Sequence, residues 1–222
     1  TNFTENIGRE MTRNQMNWKK KRYTYPSATT SSNGDVFVIL RDNRGKQKDE
    51  DQWLFHWDNK NNTWSSAEVK SSPQGRYNAY VSTLNSDANN NIHIVTAWSK
   101  LHDGPNTWQR GTYMRYNVDS DKYYKASGEE VTLPMDIETS NADMFYAGET
   151  AWHDTKAEIQ TPTVTINNEG HPVVAYPHNT DPNYSSVAPI YEIDKSTWTG
   201  SAWETSNDLL GSTIPNFTRP PI

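Results

Sequence analysis

The sequence predicts an all-β fold, a β-propeller of four-stranded antiparallel blades. Aromatic and β-branched residues concentrate in short runs, Asn/Gly clusters punctuate them, and a strand–turn–strand unit recurs three times. Only 33% of the residues are hydrophobic while 12% are aromatic, so any core must be built from rings and short Val/Ile runs. No long segment carries the helical period.

The elements follow in chain order. Tyr25-Pro26-Ser27-Ala28-Thr29 reads as an extended segment, Ser32-Asn33-Gly34-Asp35 as a turn, and Val36-Phe37-Val38-Ile39-Leu40 as the returning strand. Asn78–Thr83, the turn Asn89-Asn90-Asn91 and Ile92-His93-Ile94-Val95 repeat the unit. Thr161–Ile166, the turn Asn167-Asn168-Glu169-Gly170 and Val173-Val174-Ala175-Tyr176 repeat it again. Asn and Gly suit such turns because they tolerate positive φ. A third strand, a polar turn and an aromatic that opens an outer strand follow each hairpin, in Trp53–Trp64, Tyr113–Tyr124 and Ile190–Trp198. In the last of these the polar turn is expected at Asp194-Lys195-Ser196. The surplus residues fall in two long polar connections, Lys100–Thr112 and Pro134–Ile159. Residues 1–22 carry no clear strand pattern, 23–206 carry the blades, and 207–222 read as a C-terminal strand or tail. Three blades do not close a ring of four to eight. The chain is therefore expected to cover about half of a seven-bladed ring, completed by a second chain or a missing segment.

Composition narrows the function. Net charge is −6, which disfavours a nucleic-acid backbone as partner. Mean hydropathy is −0.96 and no apolar run is long enough for a helical membrane span. Cysteine is absent, which removes disulfides and thiol chemistry. The six histidines lack the spacing of a metal-binding helix; no cofactor is expected, and the sequence does not decide whether a structural metal ion is bound. No nucleophile elbow, phosphate loop or dinucleotide fingerprint is present.

The first hairpin carries the best candidates for chemistry. If Ser32-Asn33-Gly34 is its loop, cross-strand pairs sum to about 66 and Tyr25 faces Arg41, or sits diagonally to it after a slip of one residue. A guanidinium grips a carboxylate, and a cation beside a phenol favours the ionised form. Tyr80, in Arg76-Tyr77-Asn78-Ala79-Tyr80, occupies the position in its repeat that Tyr25 has in the first. His93 alternates inside an apolar strand and reads as a packed group. His178 ends a strand and is placed to reach a central cleft. The basic run Lys19–Arg22 leads into Tyr23 and Tyr25.

Tyr25-Pro26, Asn33-Gly34-Asp35, Arg41-Asp42, Trp57-Asp58, Thr63-Trp64 and Arg76-Tyr77-Asn78-Ala79-Tyr80 together resemble the BNR-type repeat proteins that include the ulvan lyases, over about Tyr23 to Trp203. The resemblance implies a seven-bladed propeller with a polysaccharide cleft at one end. It implies β-elimination on a uronate-containing polysaccharide, with a Tyr and one or two His as acid and base. Tyr25 matches the family's catalytic Tyr, and Arg41, sixteen residues on, its carboxylate-neutralising Arg. The substrate-binding set is then Arg76, Asn78, Tyr80, Arg44 and His178. The family's catalytic histidines precede this Tyr, whereas Thr1–Lys20 holds no His. The expected partner is an acidic polysaccharide and the expected location secreted or periplasmic, although no signal peptide is visible in the chain. Three rivals remain: a non-catalytic carbohydrate-binding propeller, a sialidase-like glycoside hydrolase, for which no arginine spacing recommends a triad, and a purely structural propeller that binds protein partners.

Overall fold

The computed structural model describes residues 23–42, 51–72, 77–100, 109–139, 141–148, 159–179, 190–207 and 214–215, and these contain no helix. The first sheet orders β1 (Tyr23–Thr30), β2 (Val36–Asp42), β3 (Gln52–Asp58) and β4 (Thr63–Ser71), with β9 (Met135–Asp136) added in parallel beyond β4. The second orders β5 (Tyr77–Ser86), β6 (Asn91–Lys100), β7 (Arg110–Asn117) and β10 (Asp143–Tyr146), and β8 (Lys122–Tyr124) shares the outer edge of β7. The third orders β11 (Thr163–Ile166), β12 (Pro172–Asn179), β13 (Ile190–Trp198) and β14 (Trp203–Ser206), with β15 (Ile214–Pro215) also on β13.

Side chains alternate across a strand, so one strand can serve two interfaces. Ile92 and Ile94 of β6 join Met114 and Tyr116 in packing on Phe37, Ile39, Leu54 and Val69 of the first sheet. Val95 and Ala97 of the same strand join Tyr113 and Phe145 in packing on Val164, Val174 and Tyr176 of the third. The middle sheet is thus buried on both faces, which is why β6 reads as a near-continuous apolar run. The inner strand β5 touches both β1 and β11.

The three predicted turns fold alike. Each closes by a backbone bond, from Ser31 N–H to Asp35, from Asp87 N–H to Asn91 and from Asn167 N–H to His171, and in each a side-chain oxygen of Asn33, Asp87 or Asn167 accepts backbone N–H bonds within the turn. Gly34 and Gly170 sit at φ +87° and +82°, and Asn90 takes the corresponding position at φ +54°. Such left-handed positions favour Gly and Asn. His93 is buried, as expected, between Tyr113 Oη at 2.8 Å and Asp87 at 3.2 Å.

Three expectations are corrected. The polar turn in the third sheet is Thr199–Ala202, not Asp194-Lys195-Ser196, and Trp203 rather than Trp198 opens the outer strand. Asp194 and Ser196 are polar yet buried, held by His178 and by Tyr176, so the strand runs through them. The second correction concerns the connection Pro134–Ile159, which supplies β9 and β10. Asp143–Tyr146 runs beside β7 because Gly111 leaves room for the Phe145 ring. Lastly, Arg110–Thr112, placed by sequence in the other long connection, opens β7.

Candidate functional site

β1, β5 and β11 run toward the turns and β2, β6 and β12 run back, so Tyr25, Arg41, Asn78, Tyr80 and His178 all fall at the end opposite the turns. Arg44 and Arg76 lie outside the described residues.

Tyr25 and Arg41 are not directly opposed. Pairs sum to 66 from Ser27↔Ile39 to Thr30↔Val36, then the register slips and Thr24 pairs with Arg41. Tyr25 and Pro26 together stand opposite Leu40, a β-bulge. Pro26 has no N–H to give to a ladder, so the slip falls where the ladder is weakest. The bulge holds Tyr25 at φ +54°. A bulky non-Gly residue in this region is an outlier that costs about 1–3 kcal/mol and persists only where its surroundings hold it. It also tucks the ring under the guanidinium, with Arg41 Cζ 4.7 Å from the ring centroid.

β5 makes the same irregularity at the same height. Ala79 pairs with Trp98 and Val81 with Ala97, leaving Tyr80 as the extra residue. The two bulged tyrosines meet, ring centroids 5.4 Å apart and tilted by 45°. Asn78, two residues before Tyr80, accepts a hydrogen bond from Arg41 Nη1 at 3.1 Å, and Thr24 Oγ1 accepts one from Arg41 Nε at 3.0 Å. Arg41 is 7% exposed, fixed by two sheets with little surface showing. Four of the sequence candidates, Tyr25, Arg41, Asn78 and Tyr80, therefore form one cluster.

His178 stands on β12 in the third sheet and is buried. Its Nδ1 donates to Asp194 Oδ2 at 2.7 Å, and Tyr146 Oη lies 3.5 Å from Nε2. The carboxylate fixes the imidazole tautomer and orientation. Its neighbour Asn179 pairs with Tyr191 on β13. Burial raises the Tyr191 phenol, the bond to Gln160 opposes this, and the nearby Tyr80 phenol adds to it. Sequence reasoning missed Thr24 and Tyr191. Thr24 is visible only once the bulge is known, and Tyr191 carries no signal beyond being aromatic.

A groove of about 690 Å³ opens elsewhere, between β4 and Glu130–Leu133, lined among others by Leu54, His56, Tyr116 and Tyr123. It lies on the turn side, away from the Tyr25–Arg41 cluster.

Stacked antiparallel sheets that present paired bulge tyrosines and a braced arginine at one end define a repeat-sheet protein with a polar, aromatic site. The chain belongs to the BNR repeat-containing family, whose model matches residues 3–207. A search of curated proteins found no match. Among solved structures it is similar to an ulvan lyase of a new polysaccharide lyase family, at TM-score 0.62 and 16% identity, covering 82% of this chain and 43% of that one. The structure of such a lyase bound to -[GlcA(1-4)Rha3S]- matches at TM-score 0.60 and 16% identity, with the same coverage. A further polysaccharide lyase matches at TM-score 0.55 and 17% identity, covering 89% of this chain and 43% of that one. At such identities the likeness shows a shared fold, and the chain spans less than half the length of these neighbours.

Proposed function

We propose that the chain contributes the substrate site of a polysaccharide lyase that cleaves a uronate-containing, ulvan-like polysaccharide by β-elimination. The carrying observation is the bulge that places Tyr25 against Arg41, backed by Asn78 and Tyr80. In this reading residues 23–206 supply about half the blades of a seven-bladed propeller, and the enzyme works outside the cell, on an acidic polysaccharide.

The C5 proton of a uronate is weakly acidic because its carboxylate can take up the developing charge. Arg41 pairs with that carboxylate, and a preorganised cation there stabilises the carbanion-like state. The bonds to Thr24 and Asn78 hold the fork in place before substrate arrives, so little reorganisation is needed. Tyr25 moves the proton: the C5–H bond breaks, the C4–C5 double bond forms, the C4–O bond breaks, and O4 leaves with a proton. Tyr80 offers its ring to a sugar face. Asn78 both braces Arg41 and contacts the sugar, and Arg44 and Arg76 add cations for the anionic chain. Asp194 holds His178, the described histidine at this end, as a polar group facing the polysaccharide.

Incubation with ulvan tests the proposal. Wild type should generate the absorbance of an unsaturated uronate, and Arg41→Ala should abolish it while remaining folded. Saturable binding without the chromophore would make the protein a carbohydrate-binding propeller instead. Release of reducing ends without it would indicate a hydrolase.

A further inference from the structure

A polar row crosses the first sheet directly beneath the tyrosines. Arg41 pairs with Gln52, and Gln52 with Lys70, on three adjacent strands at one height. Each reaches into the second sheet. Arg41 bonds Asn78, Gln52 Oε1 accepts from Ser82 Oγ, and Lys70 Nζ donates to Thr96 Oγ1 at 2.9 Å and Thr112 Oγ1 at 3.1 Å. Ser82 also bonds Thr96, so Lys70, Thr96, Ser82 and Gln52 form one hydrogen-bonded chain, with Arg41 beside Gln52 on the next strand. Gln52 Oε1 can only accept, which sets the direction: Lys70 donates to Thr96, Thr96 to Ser82, and Ser82 to Gln52. Trp98 Nε1 donates to Thr112 at 2.9 Å and caps the far end.

We infer that Lys70 is a positioning residue for Arg41, holding the second sheet against the first as a neutral amine and loosening that contact when it takes up a proton. The role rests on Arg41 binding the carboxylate, as proposed above. A neutral amine has two N–H donors, and two hydroxyls receive them. An ammonium has three, and needs a further acceptor or water in a place with 0% exposure. Burial accordingly pulls Lys70 down to about 7, against the opposing field of Asp143 on β10. Asp143 is the charged group whose field acts on it; of those on adjoining segments, Asp136 on β9 accepts the Glu138 N–H, Arg110 on β7 donates to the Ile137 carbonyl, and Asp51, beside Gln52, and Asp42, beside Arg41, are buried in the first sheet. Arg41 lies two strands away, roughly 10 Å at ordinary strand spacing. Coulomb attraction alone would make a protonated Lys70 strengthen anion binding. Loosened docking weakens it, because the Arg41–Asn78 bond spans the two sheets. The sign of the pH effect separates the two.

The experiment measures binding of the disaccharide GlcA(1-4)Rha3S to the full chain between about pH 8 and pH 6. If only the neutral form is competent, Kd rises about tenfold toward pH 6. The Trp98 indole N–H signal should shift with the same midpoint, since its acceptor is a Lys70 partner. Lys70→Met should flatten the Kd profile. If that variant fails to fold, Asp143→Asn should move both midpoints to lower pH, because the carboxylate that favours the ammonium is gone. A flat wild-type profile, tighter binding at pH 6, or a step that survives Lys70→Met or ignores Asp143→Asn would overturn the inference. A titrating indole with no binding at any pH would instead overturn the carbohydrate reading on which it stands.

Discussion

Replacing Arg41 by Lys keeps the charge and removes the fork. In the structure Nε donates to Thr24 and Nη1 to Asn78 while the plane lies over Tyr25. A lysine ammonium is a point charge that cannot hold both braces and meet a carboxylate two-fold. Losing one charge-assisted hydrogen bond in the transition state costs about 1.5–3 kcal/mol. That converts to a fall in kcat/KM of about 10–150-fold. The lost brace and the weaker ring contact cost about 1–2 kcal/mol of folding stability, which for a chain of this length lowers Tm by roughly 2–8 °C. The assay is the initial rate of unsaturated-uronate absorbance on ulvan, beside a thermal melt of the same preparation. Turnover within twofold of wild type, with the melt lowered as expected, would show that Arg41 is structural and would refute its role in the reaction.

Other outcomes follow from the packing and the charges. At Gly111 an added Cβ would lie 2.3 Å from Phe145 Cζ, so Gly111→Ala should destabilise the fold by about 1–3 kcal/mol. Phe145→Leu should recover part of that loss in chemical denaturation, and an unchanged Gly111→Ala midpoint would contradict the placement of β10. Lys70 is near 7 folded against 10.5 for a free lysine, so the unfolded chain binds more protons between those values and stability should rise with pH across that window. The full effect is at most about 5 kcal/mol, and Lys70→Met should remove the slope. Burial holds the His93 imidazole below its usual range despite Asp87, so stability should fall as pH drops below about 6.5. His93→Gln should reduce that acid sensitivity in denaturant melts, and a slope equal to wild type would assign it to other groups.

The hairpins and their turns were legible because local chemistry dictates them. Asn33, Asp87 and Asn167 satisfy neighbouring backbone donors through their own side chains, and short-range bonding of that kind is written in a few adjacent residues. The short apolar run Ile92-His93-Ile94-Val95 likewise announced the strand β6, while its burial on both faces emerged only from the stacking of the three sheets. Residues whose environment is set by distant strands were not legible. Asp194 and Ser196 look like a turn until His178 and Tyr176 are seen to hold them inside a strand. Lys70 looks like a solvated lysine, and only the stacking of the second sheet on the first shows it buried. The Tyr25–Arg41 pairing was legible in outcome but not in geometry. Counting from the turn placed the two opposite each other, whereas Pro26 displaces the register and the ring arrives from a bulge. Tyr80 was found through its repeat position, and the bulge in β5 gives that equivalence a structural basis.

The central claim is that Arg41, seated on Tyr25 and braced by Asn78, receives the carboxylate of a uronate. An NMR titration of the chain with GlcA(1-4)Rha3S, following the Arg41 Nε–H resonance and the Tyr25 and Tyr80 ring protons, examines it most directly. The three should move together and saturate at one Kd, and the reduced sugar, glucose in place of glucuronate, should leave them still. Saturable binding that leaves Arg41 unmoved, or equal shifts with the neutral sugar, would contradict the account.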